Sequence, residues 1–116
     1  MGYSDVMKVL THPAISDVTL EMVLYVLGDR NRLQIVRNLH QAKAPLNCNE
    51  ATDGISDMPQ STCSYNFRLL REAGLVRTEK SGREAKNALR KADIDTAFPG
   101  LLDTVLALTP SEKPGA

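Results

Sequence analysis

The chain has 116 residues, with fourteen basic and fourteen acidic side chains, 42% hydrophobic and 4% aromatic residues, and no tryptophan. That length and balance predict one globular domain with an aliphatic core, and they exclude a disordered chain. No apolar run approaches the roughly 18 residues of a membrane span, and residues 1–13 lack a signal peptide's basic flank and apolar centre, so the expected setting is cytoplasmic, with no membrane partner.

Residues 1–18 are read as an N-terminal arm, interrupted by His12-Pro13. Leu20, Val23, Leu24 and Leu27 recur at helical spacing and predict a first helix, ended by Gly28. Asp29 is placed to cap a second helix, carried by Leu33, Ile35, Val36 and Leu39 to about Gln41. Ala44-Pro45 breaks it. A short third helix is expected over about 47–54, capped by Asn47 and stopped by Gly54. Asp57-Met58-Pro59 opens a fourth, because proline is tolerated in a first helical turn, and Gly74 closes it after Ala73. Residues 75–80 and 83–90 read as strands around a Ser81-Gly82 turn. Asp93 or Asp95 is expected to cap a last apolar helix, restarted at Pro99-Gly100, and 109–116 to form a flexible tail. The predicted fold is mainly α with a small β-hairpin: a winged helix-turn-helix occupying 19–108.

The zero net charge conceals an asymmetry. Residues 60–91 carry eight bases against three acids, whereas 92–116 carry four acids against one base. A basic face on a neutral chain suits phosphate. On the fourth helix, Cys63, Phe67, Leu70 and Gly74 form one stripe that must face the core. Gln60, Ser61, Thr62, Ser64, Tyr65 and Asn66 then bring hydroxyl, phenol and amide groups to the helix start, the end that enters a major groove and bonds base edges. Arg68 on the helix, and Arg77, Lys80, Arg83 and Lys86 on the wing, suit phosphate contacts. Each residue taken singly also fits a solvated surface; the combination is what points to DNA. Arg30 and Arg32 suit either a backbone contact or an ion pair with Asp29.

The segments LGDRNRLQIVRNL (27–39) and STCSYNFRLLREAGLV (61–76) resemble the ArsR/SmtB-type winged-helix regulators. The resemblance continues through the wing into ADIDTAFPGLLDTVL (92–106). It implies a homodimer built from the first and last helices, binding an imperfect palindrome in double-stranded DNA, usually as a repressor released by an inducer whose identity stays open. Leu20, Val23, Leu24, Leu101, Leu102, Val105 and Leu106 are the expected interface. Asn31 stands where the family often has proline, and Tyr65-Asn66 where it often has two histidines. The paired cysteines of metal-sensing members are missing from the third-helix region, so no metal or other cofactor is expected.

Cys48 and Cys63 lack the close ligand pairs of a zinc site. Cys63 fits core packing as a small hydrophobe, and the two together are candidates for a thiol-redox switch. With no phosphate loop, nucleophile elbow or acid–base pair, enzymatic activity is not expected. The competing reading is a winged helix that holds a partner protein without reading DNA sequence.

Overall fold

A computed structural model of the chain describes residues 8–108; the first seven residues of the expected arm and the expected tail lie outside them. The elements in order are β1 (Lys8–Val9), a 3-10 turn (Ile15–Asp17), α1 (Leu20–Leu27), α2 (Arg30–Gln41), α3 (Cys48–Ala51), α4 (Gln60–Glu72), β2 (Val76–Ser81), β3 (Glu84–Leu89), α5 (Lys91–Ala97) and α6 (Leu101–Ala107). This is the winged helix-turn-helix order that the sequence predicts. Among the described residues no helix is long and apolar enough to cross a membrane.

Local chemistry sets most boundaries. The Thr19 side chain accepts the Met22 N–H, and the Asp29 carboxylate accepts those of Asn31 and Arg32, so both helix starts have donors satisfied. Asn47 and Glu50 form a reciprocal capping box on α3. That helix is a single turn, shorter than the 47–54 expected. The eight residues 52–59 then connect it to α4. At the far end of α4, the Leu75 N–H donates to Leu70 O and the Gly74 N–H to Arg71 O. This closure requires a left-handed residue, and Gly74 supplies φ +81°. A Cβ there would also collide with Val18 Cγ2, so glycine is needed for space as well as for torsion.

Two boundaries differ from expectation. Pro59 caps α4 from outside, with ψ 154°, and helical geometry begins at Gln60. The helix that follows the wing, α5, begins at Lys91, before either aspartate proposed as its cap. The Arg90 N–H is held by Leu75 O, and Arg90 O accepts the Ile94 N–H, so the chain turns helical directly on leaving β3. Asp93 and Asp95 instead pair with Arg90 and Lys91 at 3.0 and 2.7 Å.

The core is aliphatic. Val23, Val26, Ile35, Val36, Leu70, Leu75, Val76, Ile94 and Leu102 are fully buried, and Phe67 and Ala73 belong to the same cluster. The sheet order is β1-β2-β3, all antiparallel. The wing is thus three-stranded, because Lys8 and Val9 pair with Lys80 and Glu79. His12 fixes this addition: its Nε2 accepts the Thr78 N–H at 2.9 Å, while the Arg90 guanidinium donates to Pro13 O.

Burial, followed by the charges of Arg77 and Arg90, holds the His12 imidazole below the ordinary 6.5. The unfolded chain therefore takes up this proton first. Stability from His12 is complete above pH 6.5 and is lost as the pH falls from there through the lower folded value. Denaturation midpoints measured across that window should rise with pH, and His12→Ala should flatten the rise. An unchanged slope in the variant would assign the dependence to another group.

Candidate nucleic-acid interface

The first two turns of α4 expose Gln60, Ser61, Thr62, Ser64 and Tyr65, while Cys63, Phe67, Leu69 and Leu70 turn inward. The polar face lies where the sequence places it, because a helix with apolar positions at 63, 67 and 70 can bury only one side. Tyr65 is 47% exposed and the Arg68 guanidinium lies 5.7 Å from its ring centroid, so the phenol and the cation form one surface unit. Arg68 also faces Glu72 at 3.8 Å, with both side chains more than half exposed, an arrangement readily exchanged for a phosphate.

Asn66 does not join this surface. It is 4% exposed, and its Oδ1 accepts a hydrogen bond from Arg32 Nη1 at 3.0 Å. Arg32 is itself buried and donates through Nε to Val26 O at 2.8 Å. Val26 O is one of the last-turn carbonyls of α1 that the helix cannot satisfy. Arg32 thus joins the end of α1 to the middle of α4, and the Asn66 amide continues the link to Met58 Sδ in the preceding turn. Buried in this way, Asn66 is turned away from the base contact expected of it, and the Asp29 ion pair considered for Arg32 does not form; the Asp29 carboxylate instead accepts backbone N–H groups. The spacing of Asn66 four residues before the stripe position Leu70 is the signal that could have flagged this. Nothing local identified its partner, which is 34 residues away.

On the wing, Arg77, Lys80 and Arg83 are exposed and Lys86 is half-buried. Arg77 is held by Glu79 at 2.9 Å and Lys86 lies 4.0 Å from Glu84. The two-residue loop is Gly82-Arg83, one position later than expected, with Gly82 at φ +64° in its first position. A hairpin turn of this length takes glycine there, and it sets Arg83 at the wing tip.

The expected interface residues divide. Leu20 and Leu24 are 43% and 50% exposed, and Leu101, Val105 and Leu106 are half-buried. Val23 and Leu102 are not at the surface at all: both are fully buried in the protomer core, because on short amphipathic helices they fall on the inward side. Tyr25, absent from the expected set, is 61% exposed beside Leu24 and is approached by Arg32 at 5.7 Å.

Cys48 and Cys63 meet. Their Cα atoms are 7.6 Å apart and their sulfurs are joined as a disulfide between α3 and α4. Among the described residues no cluster of three or more His, Cys, Asp or Glu side chains forms a metal-binding group.

Residues 27–79, from the end of α1 into β2, match a model of the helix-turn-helix domain. The chain is also similar to the uncharacterized HTH-type transcriptional regulator YceK of Bacillus subtilis (strain 168), with 33% identity over 96 residues that span 83% of this chain and 95% of that protein. The exposed polar end of α4, the basic wing behind it and this near full-length relationship converge: the chain belongs to the helix-turn-helix transcriptional regulators, proteins that act by binding DNA.

Proposed function

We propose that the protein is a sequence-specific repressor of the ArsR type that binds an imperfect palindrome as a homodimer, responds to an inducer, and is sensitive to thiol oxidation. The observation that carries DNA reading is the exposed row Gln60, Ser61, Thr62, Ser64 and Tyr65 on a rigid helix whose other face is core. These groups donate and accept hydrogen bonds at base edges in the major groove, while Arg68, Arg77, Lys80, Arg83 and Lys86 neutralise phosphates alongside. The half-exposed apolar side chains of α1 and α6 support a two-fold pairing that would set two recognition helices about 34–36 Å apart.

The test is selection of bound duplexes from a random pool in reductant, followed by affinity measurement across salt concentrations. A palindrome should be enriched, with log affinity falling against log salt by about 0.9 for each phosphate neutralised. Arg68→Ala should weaken binding several-fold and flatten that slope by about one phosphate. Salt-independent binding, or no effect of Arg68→Ala, would remove α4 from the groove and favour a protein-binding winged helix.

A further inference from the structure

We propose that Cys48 and Cys63 form a peroxide-reactive site whose closure to the disulfide lowers DNA affinity; this rests on reading α4 as the DNA-reading helix.

Three observations carry it. The bridge is the covalent tie between α3 and the first turn of α4, and the exposed residues Ser61, Thr62, Ser64 and Tyr65 flank Cys63 on both sides. The α3 end of the tie is anchored to the wing: the Asn47 amide donates to Glu84 at 3.0 Å, and Leu46 exchanges backbone hydrogen bonds with Asn87 at 2.9 and 2.7 Å. The disulfide therefore couples both DNA-facing elements. Finally, the connection between the two helices turns through left-handed residues at Gly54 and Asp57, and the first hydrogen bond of α4, Cys63 N–H to Pro59 O, belongs to the turn that carries the thiol. The bridge therefore acts on the first turn of α4, three residues before the Arg32–Asn66 bond that holds the middle of the helix.

The two sulfurs differ in access. Cys63 is 4% exposed and Cys48 is half-buried, so oxidant reaches Cys48 first. The Cys48 thiolate attacks hydrogen peroxide; an S–O bond forms, the O–O bond breaks and hydroxide leaves, giving a sulfenic acid. The Cys63 thiolate then attacks that sulfur, the S–O bond breaks and a second hydroxide departs. With the two thiol protons, the balance is two thiols and one peroxide giving one disulfide and two waters. An added dithiol reverses it by thiol–disulfide exchange.

The Cα atoms stand 7.6 Å apart, beyond the roughly 4.4–6.8 Å usual for a bridged pair, so a closed bridge pulls the start of α4 toward α3 by about 1 Å, an amount comparable to the tolerance of a hydrogen bond to a base. One operator cannot suit both positions. Where thiols are kept reduced, the dithiol form is the one that binds.

The experiment uses the full chain and the duplex selected in reductant. Affinity is measured by fluorescence anisotropy before peroxide, after one equivalent of it, and after dithiothreitol, with peptide mass spectrometry reporting the Cys48–Cys63 bridge. Oxidation should weaken wild-type binding about tenfold or more, reversibly. Cys48→Ser should bind like the reduced wild type and ignore peroxide; Cys63→Ala provides the same check from the buried side. A bridge that forms while affinity stays constant overturns the switch and leaves DNA reading intact. Failure of peroxide to form the bridge overturns the site. If no duplex is enriched in either redox state, the DNA reading fails and the affinity switch falls with it, whatever the mass spectrum shows.

Discussion

Arg32→Ala is expected to destabilise the protein by about 2–4 kcal/mol, because it leaves two buried acceptors without a donor and removes a packed side chain. The acceptors are Val26 O at the end of α1 and Asn66 Oδ1 in the centre of α4. Arg32→Lys keeps the charge but lacks the planar fork that reaches two acceptors at once, and it should recover only part of the loss. Urea titration of the single and double variants of Arg32 and Asn66 would measure the coupling, expected at about 0.5–3 kcal/mol for directly bonded partners. Coupling near zero would mean that the two side chains act independently and that the α1–α4 link has no energetic content.

The second large effect concerns assembly. Leu24→Asp should abolish the proposed dimer and, with it, most DNA affinity, while leaving the protomer folded. Leu24 is 50% exposed, so an aspartate there stays hydrated in the isolated chain and buries no charge. Losing the second recognition helix turns a bivalent contact into a monovalent one, which lowers affinity by about 10²–10⁴-fold. Analytical ultracentrifugation and anisotropy on the same sample separate the two consequences. A variant that stays dimeric and binds DNA normally would displace the interface from the α1 face. Tyr25→Ala is the milder companion, testing whether the exposed ring beside Leu24 belongs to the same surface.

The features legible before folding are those whose physics is local. Caps at Asp29 and Asn47, the closing glycine at 74 and the hairpin glycine at 82 all act within a few residues of where they stand. The inward stripe of α4 follows from helical period alone, and it correctly turned Cys63, Phe67 and Leu70 to the core. The same period misplaced Asn66. An amide on the margin of a stripe goes outward or inward according to whether a donor waits inside, and here the donor comes from Arg32, contributed by a different helix.

Neighbours along the chain suffice to specify a winged helix-turn-helix with a polar-ended fourth helix and a basic hairpin, because periodicity, capping and turn chemistry act over a few residues. The remaining features depend on neighbours in space. Folding made His12 a partner of Thr78 and so gave the wing a third strand, although 66 residues separate them. It also put Val23 inside and Leu24 outside on one short helix, since only the packing of α1 against the rest of the chain says which part of an apolar face is already covered. And it brought Cys48 to Cys63 across a turn whose length leaves their separation undetermined, until Arg32, Asn66 and the wing fix where α3 and α4 lie.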